Sequence, residues 1–305
     1  KGVQNSSEYH VELSTNSYGL RDREYPLNKD SDTFRILILG DSYTFGWGVK
    51  IERIFPKLVE QDLNLEYTKP RVGVINCGVY GYGTQHQYKF MRKYGYRLKP
   101  DLVIIAMDFL HDIRKNNADY YYFDADKIVR GSTSCFAQRS RAITQYIPFS
   151  SFLRGHSHLF RYVGENIQKL YNHANSHKKP NANKEIDKKK YDLDNTINLF
   201  RRLHNELAQK GIEFAIVILP EFNTLIKVEP FDKKLLFSFE EFLSNEPIPY
   251  LSMQEIFERR SNRAELTFEY SHHFNSSGHR FIAQQILKFL DESEILGIKN
   301  EATKR

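Results

Sequence analysis

Five short apolar segments, separated by stretches with helical periodicity, constrain the fold of this 305-residue chain more than any other feature. Continuous apolar runs of this kind are typical of strands that are buried on both faces of a parallel sheet. We therefore predict an α/β fold: a three-layer α/β/α, doubly wound domain with a mainly parallel five-stranded sheet. The predicted strands are Arg35–Gly40, Arg71–Asn76, Asp101–Met107, Glu213–Leu219 and Pro249–Ser252. The predicted helices are Phe55–Leu63, Thr84–Tyr96, Asp192–Lys210 and a last one that begins at Asn275 or Ser276.

The alternation is interrupted once, from about residue 113 to residue 191. We predict a single domain over residues 1–305, with an N-terminal arm at 1–33 and this interruption as an insertion. The insertion holds a short helical pattern, Ser151–Leu170, and a lysine-rich stretch, His177–Lys190, which accounts for much of the net charge of +6. No stripe of arginine with interleaved aromatic residues is present, so we expect no nucleic-acid partner. The sequence does not define an oligomeric state.

Apolar runs long enough to cross a membrane are absent from the sequence. We therefore expect no membrane span in this chain. Its first residue is Lys1, which is compatible with an export signal or an anchor having been removed.

Ligands of doubly wound sheets bind at the carboxyl ends of the strands. This rule brings together the loops that begin at Gly40, Cys77, Asp108 and Pro220. Ser42 lies in the first of these loops, in "RILILGDSYTFGWGV". A serine at this junction is either a nucleophile near backbone N–H groups or an N-cap of the next helix. The surrounding letters match neither the Gly-x-Ser-x-Gly elbow nor a phosphate-binding loop.

A serine nucleophile needs a base, which is most often histidine. His272 and His273, in "HHFNSSGH", directly precede the last predicted helix, on the same sheet edge as Ser42. Other histidine pairs lack a completing cysteine or carboxylate at a convincing spacing. We therefore expect no metal ion and no cofactor.

Four blocks in order along the chain resemble those of the SGNH (GDSL-type) hydrolases, serine esterases with a flavodoxin-like α/β/α fold. They are "FRILILGDSYTFGWGV", "VINCGVYGYGT", "KPDLVIIAMDFLHDIRKN" and "HFNSSGH". The resemblance runs from about Asn16 to Leu290. It implies that Ser42 attacks an ester carbonyl and that His273 is the base. It also implies oxyanion donors from the backbone N–H groups of Ser42 and Gly78 and from one side chain of the third block.

Two departures from the family pattern concern this machinery. His111 stands where the family has the asparagine that donates to the oxyanion, and Asp112 follows it as usual. The carboxylate expected two or three residues before His273 is missing, because those positions hold Ser271 and Tyr270. Two alternatives remain open: His272 is the base with Glu269 as its acid, or a backbone carbonyl orients His273 in a Ser–His dyad.

We therefore expect a serine ester hydrolase that acts on small-molecule or glycan acyl esters, such as O-acetylated glycans or small lipid-like esters. The alternative is a catalytically weakened or inactive SGNH domain that binds a glycan or a protein. Many bacterial relatives are exported or anchored, so the resemblance favours an extracytoplasmic location.

Overall fold

The structure, a computed structural model, describes residues 2–115, 121–124, 127–130, 193–220, 230–271 and 273–298. Its elements alternate between strand and helix along most of the chain. In chain order they are β1 (Gly2–Asn5), β2 (His10–Leu13), β3 (Thr33–Gly40), α1 (Ser42–Phe45), α2 (Phe55–Glu66), β4 (Arg71–Gly78), α3 (Thr84–Lys93), β5 (Leu102–Asp108), α4 (Phe109–Lys115), β6 (Tyr121–Asp124), β7 (Lys127–Arg130), α5 (Leu193–Ala208), β8 (Glu213–Leu219), α6 (Pro230–Ser244), β9 (Tyr250–Ser252), α7 (Gln254–Glu258) and α8 (Ser276–Glu292).

A five-stranded sheet, in the order β4-β3-β5-β8-β9, forms the centre of the fold, and every neighbouring pair is parallel. All five strands predicted from the sequence belong to it, which confirms the doubly wound prediction. The chain enters at β3, pairs β4 on one side and then crosses to β5 on the other. The carboxyl end of β3 is therefore the point where the strand order reverses, and a ligand crevice is expected there.

Both faces of this sheet are covered by helices. Ile36 and Ile38 of β3 belong to a core that α2 and α8 complete on one face. Leu37 and Leu39 point to the opposite face and are equally buried; α3 and α5 contact the sheet there. A side chain alternates between faces at every strand residue, so burial of four consecutive residues requires a layer on each side.

The helix predictions are confirmed with shifted ends. The helix predicted at 84–96 ends at Lys93 and is followed by a short 3₁₀ turn, Gly95–Leu98. Asn275 is the N-cap of α8, since its side chain accepts the N–H groups of Ser277 and Gly278. The elements that were not predicted are short or weakly periodic: α1, α4, α6, α7 and the two antiparallel hairpins β1–β2 and β6–β7.

The chain divides into two compact units, one made of residues 1–116 and 191–305 and the other of residues 117–190. The second unit occupies nearly the range predicted as an insertion. The predicted helix Ser151–Leu170 and the lysine-rich stretch His177–Lys190 lie outside the described residues. Among the described helices, none combines the length and the apolar character that a membrane crossing requires.

Candidate active site

Ser42 is the first residue of α1, two residues beyond β3. The capping role belongs to its neighbour: the Asp41 side chain accepts the N–H of Tyr43 at 2.9 Å. Ser42 as a whole residue is 9% exposed, and its side chain is not needed for the cap. As the first helical residue, Ser42 has an N–H that no carbonyl of its own helix can accept.

The Ser42 hydroxyl contacts a histidine from the far end of the chain. Ser42 Oγ lies 2.9 Å from Nε2 of His273, and His273 Nδ1 lies 3.0 Å from the carbonyl oxygen of Ser271. A carbonyl oxygen only accepts, so the neutral ring carries its proton on Nδ1 and leaves the Nε2 lone pair for the Ser42 hydroxyl. This is the tautomer that a general base acting on Ser42 requires.

Glu269 lies outside this hydrogen-bonded group. Its side chain is exposed, and it forms no ion pair with any described residue. The ring nitrogen that a carboxylate would hold in a triad faces the Ser271 carbonyl instead. The alternative pairing of Glu269 with His272 cannot be located, since His272 is outside the described residues.

Aromatic rings surround His273. Trp47 stacks on it with ring centroids 5.9 Å apart, and the Tyr43 ring is 5.2 Å away. Trp47 in turn contacts Tyr80, whose side chain is 62% exposed, at 4.9 Å. The imidazole therefore contacts two aromatic rings from the segment that follows β3, and the exposed Tyr80 ring lies beside Trp47.

Gly78 is the last residue of β4 and is buried. Its N–H donates to Asn76 Oδ1 at 3.0 Å, so this amide already has an acceptor inside the protein. A side chain is excluded here, because a Cβ on Gly78 would lie 2.3 Å from the backbone nitrogen of Phe45. The glycine thus lets β4 pack directly on α1, which is a structural reason for its presence.

His111 lies in α4, beyond the end of β5, and its side chain is 30% exposed. Nδ1 faces two carboxylates, at 3.6 Å from Asp41 Oδ2 and 3.5 Å from Asp112 Oδ1. Burial, reinforced by the charge of Asp112, raises the pKa of Asp41 to about 7. Burial also raises the pKa of Asp112. Nδ1 is therefore the His111 nitrogen that faces these acids, and Nε2 lies on the other side of the ring.

Three side chains at the carboxyl ends of β3 and β5 have the chemistry of metal ligands. Asp41, Asp108 and His111 each place one ligand atom within 4.8 Å of the others. The protein uses these groups itself: Asp41 Oδ1 accepts the Tyr43 N–H, and Asp108 Oδ1 accepts the backbone N–H of His111 at 3.4 Å. Each of these hydrogen bonds is local to one strand end, and the contact between the two ends is the one between His111 Nδ1 and Asp41 Oδ2, 3.6 Å apart.

Arg21 fixes the loop that follows Ser42. Its buried guanidinium donates to the carbonyl oxygens of Phe45, Gly46 and Val49, at 2.9, 2.6 and 2.5 Å. Gly46 adopts a φ of +79°, and its N–H caps α1. A left-handed residue and three carbonyls on one cation hold the turn rigidly, since each bond involves a charged donor.

The structure brings together Ser42 and His273, which were both candidates from the sequence, but the residues that surround them were not identified from the sequence. Trp47 is the only tryptophan of the chain and lies five residues after Ser42. Its residue type and position could have identified it as part of the site. The Ser271 carbonyl carries no such signal, because any residue has one.

Neither a family model nor a curated protein matches this chain. Several solved structures align with it. A lipase/acylhydrolase from Enterococcus faecalis aligns with a TM-score of 0.52 at 13% identity, over 88% of this chain and 100% of its own. The acetyl xylan esterase AlAXEase aligns with a TM-score of 0.50 at 11% identity, over 84% and 98%.

A third match is larger than this chain. A two-domain esterase (CEX) active on acetylated mannans aligns with a TM-score of 0.47 at 16% identity over 85% of this chain, which spans only 49% of the esterase. Taken with the strand order, the alignments with the lipase/acylhydrolase and the acetyl xylan esterase define the class of architecture. The chain has the fold of the SGNH (GDSL-type) hydrolases.

Proposed function

We propose that this protein is a serine ester hydrolase in which Ser42 is the nucleophile and His273 the general base of a Ser–His dyad. One observation carries the proposal: Ser42 Oγ lies 2.9 Å from His273 Nε2, while Nδ1 is held 3.0 Å from the Ser271 carbonyl. A nucleophile within hydrogen-bond reach of a base, which a third group orients, is the arrangement that nucleophilic catalysis requires.

In the first half-reaction, Ser42 Oγ attacks the ester carbonyl carbon while its proton passes to Nε2 of His273. The tetrahedral oxyanion collapses, the bond to the alcohol oxygen breaks, and the imidazolium returns the proton to that oxygen. In the second half-reaction a water molecule attacks the acyl-Ser42, with Nε2 again taking and returning a proton. Carboxylic acid leaves and the hydroxyl of Ser42 is restored.

Among the residues that the structure describes, no carboxylate forms an ion pair with His273, and this arrangement has a cost. A backbone carbonyl selects the right tautomer but contributes only a partial charge to stabilise the imidazolium, whereas a triad supplies a full one. We therefore propose slow turnover relative to a complete triad. Contacts of the half-buried His273 ring with Trp47 and Tyr43 limit ring rotation and offset part of this loss.

The oxyanion needs preorganised donors, each worth about 3–4 kcal/mol of transition-state stabilisation. The N–H of Ser42 is one, and Nε2 of His111 is the side-chain donor that we propose in place of the family asparagine. The N–H of Gly78 has to be shared with Asn76 Oδ1 if it is used. Gly81 is a second backbone candidate: it has a φ of +74° and follows Tyr80, whose ring borders the site.

For the substrate we propose an acyl or acetyl ester of a glycan or a small lipid-like ester. The names of the aligned structures, an acetyl xylan esterase and a lipase/acylhydrolase, cover both classes. The exposed Tyr80 ring beside Trp47 offers a flat apolar surface for a sugar ring or an acyl chain. The extracytoplasmic location inferred from the resemblance stays a prediction.

Fluorophosphonate labelling followed by mass spectrometry tests the proposal. The wild type is expected to carry one adduct, on Ser42, and to hydrolyse 4-nitrophenyl acetate, while Ser42→Ala loses both. Ser277→Ala is the matched control, because Ser277 is exposed in the first turn of α8 and takes no part in the dyad. A folded wild type that gives no adduct on Ser42 between neutral and alkaline pH would contradict an activated nucleophile and favour the binding-domain alternative.

A further inference from the structure

The N-terminal hairpin, residues 2–13, contacts both loops that form the proposed dyad. β1 and β2 pair in antiparallel register, and the turn between them is fixed by Ser6. The Ser6 hydroxyl accepts the N–H groups of Glu8 and Tyr9 at 3.0 and 3.3 Å, and the Ser6 N–H donates to the Tyr9 carbonyl at 2.9 Å. The side chains of Glu8 and Tyr9 are thus presented from an ordered turn rather than from a free terminus.

The hairpin holds the nucleophile loop at two adjacent residues. Trp47 Nε1 donates to the Tyr9 hydroxyl at 2.8 Å, and the Gly48 N–H donates to Oε1 of the buried Gln4 at 2.9 Å. Gly48 makes this approach feasible. A Cβ there would lie 2.7 Å from Tyr9 Cδ1 and 2.9 Å from Phe268 Cε2.

The same turn holds the base loop. The Glu8 carboxylate accepts two backbone N–H groups, from Tyr270 at 3.2 Å and from Ser271 at 3.1 Å. The Tyr9 ring lies 5.0 Å from that of Phe268 in the same loop. The carbonyl of Ser271 orients the His273 ring. Glu8 therefore binds the backbone N–H of the same residue that orients the base.

We propose that Glu8 is a positioning residue of this active site. Its carboxylate fixes the Tyr270–Ser271 backbone, and the Ser271 carbonyl then holds His273 as the Nδ1–H tautomer facing Ser42. The Glu8 carboxylate thus binds the backbone of the residue whose carbonyl contacts the imidazole, rather than the imidazole itself. The effect on rate rests on the proposed function, whereas the effect on the His273 ring does not.

Charge and geometry explain why a carboxylate suits this role. Two neighbouring N–H groups converge on Glu8, and a carboxylate offers two acceptor oxygens, one for each. A glutamine in the same place offers one oxygen and turns an NH₂ donor toward the other N–H. Glu8→Gln therefore keeps the size of the side chain but removes one backbone anchor and the charge assistance of both.

The experiment compares Glu8→Gln with Glu12→Gln, a change of the same kind at an exposed residue of the same hairpin. For 4-nitrophenyl acetate we expect Glu8→Gln to lower kcat about 10- to 100-fold with KM little changed, because a misplaced base slows chemistry more than binding. Glu12→Gln is expected to behave as wild type. Nitrogen-15 NMR of the His273 ring is expected to show less Nδ1–H tautomer in Glu8→Gln alone.

The two readouts separate this inference from the proposed function. If the wild type neither hydrolyses esters nor labels at Ser42, the proposed function fails, and the NMR comparison still decides the role of Glu8. The inference is overturned if Glu8→Gln retains the wild-type His273 tautomer population, whatever the rate does. A loss of the Nδ1–H form in folded Glu8→Gln, with Glu12→Gln unchanged, supports it.

Discussion

His273 and Ser271 are joined by a hydrogen bond of 3.0 Å between the ring nitrogen Nδ1 and the backbone carbonyl oxygen two residues earlier. The bond is local, since the ring nitrogen and its acceptor belong to residues two positions apart in the same loop. It selects the tautomer that can accept the Ser42 proton, but it brings no negative charge to the ring. The geometry of a general base is therefore present, while no carboxylate of the described residues forms an ion pair with the ring.

Replacement of Glu269 tests whether any carboxylate acts on this ring. Glu269→Gln is expected to leave kcat for 4-nitrophenyl acetate unchanged, since the side chain is exposed and unpaired within the described part of the chain. His273→Ala is expected to lower kcat by about 10²- to 10⁴-fold. Steady-state kinetics at pH 8 measures both; a tenfold loss in Glu269→Gln would restore this residue to the mechanism.

The loop after β4 provides a test of the backbone donors. Gly81→Ala is expected to lower kcat about 10- to 100-fold, because a Cβ disfavours the φ of +74° and turns the amide away. Gly211→Ala is a matched control: it imposes the same strain at φ +65°, also in open space, but far from β4 in sequence. Equal kcat for the two variants would exclude a donor role for Gly81.

Replacement of His111 tests the proposed side-chain donor to the oxyanion. His111→Ala is expected to lower kcat by about 10²-fold with a smaller effect on KM, and His111→Asn to recover most of the loss, because an amide N–H can take the same role. Both variants remove the imidazole that faces the Asp41 and Asp112 carboxylates. The difference in kcat between His111→Asn and His111→Ala therefore measures the amide donor alone. Equal activity of the wild type and His111→Ala would remove His111 from the oxyanion site.

Asp41 makes stability depend on pH. Its pKa is about 7 in the folded protein and 3.8 ordinarily, so between these values the folded state binds more protons than the unfolded one. Stability from this group is present at low pH and is lost as the pH rises toward 7. Asp41→Asn is expected to gain Tm relative to wild type between pH 4.5 and 8. Calorimetry measures this gain, with exposed Asp30→Asn as the control; parallel Tm curves would contradict it.

His279 makes stability depend on pH in the opposite direction to Asp41. Burial, with a smaller contribution from the charge of Arg21, lowers the pKa of His279 from 6.5 to about 3. The unfolded chain takes up this proton first, so stability is lost as the pH falls from about 6.5 toward 3. His279→Gln is expected to flatten the acid side of the Tm curve. It should also lower Tm at pH 8, because His279 stacks on Phe55 and accepts its N–H.

Exposed His10→Gln serves as the control for that series. It removes one histidine from the unfolded chain as well, but leaves the α2–α8 contact intact. An acid limb that is equally steep in His279→Gln and His10→Gln would show that the buried imidazole does not govern acid stability.

The sheet and the proximity of Ser42 to His273 were predictable because both follow from local patterns plus one topological rule. Continuous apolar runs identify strands buried on two faces, and parallel strands end at a common edge, which brings Ser42 and His273 together. The Asp41 cap was not predicted, because Asp41 and Ser42 are equally suited to that role.

The remaining contacts of the site could not be inferred in this way. The Ser271 carbonyl and the Asn76 acceptor of the Gly78 N–H are visible only once backbone directions are known. Glu8 has no local pattern at all, since its two partners depend on the path of a loop more than 260 positions away.

The bonds from Glu8 also bear on the order in which the protein is assembled. The link between Glu8 and Tyr270 spans 262 residues, and closing so long a loop is entropically unfavourable until most of the intervening chain is compact. The parallel sheet can form around β3 before that closure. We therefore expect the Glu8 contacts, and with them the alignment of the imidazole, to form after most of the parallel sheet.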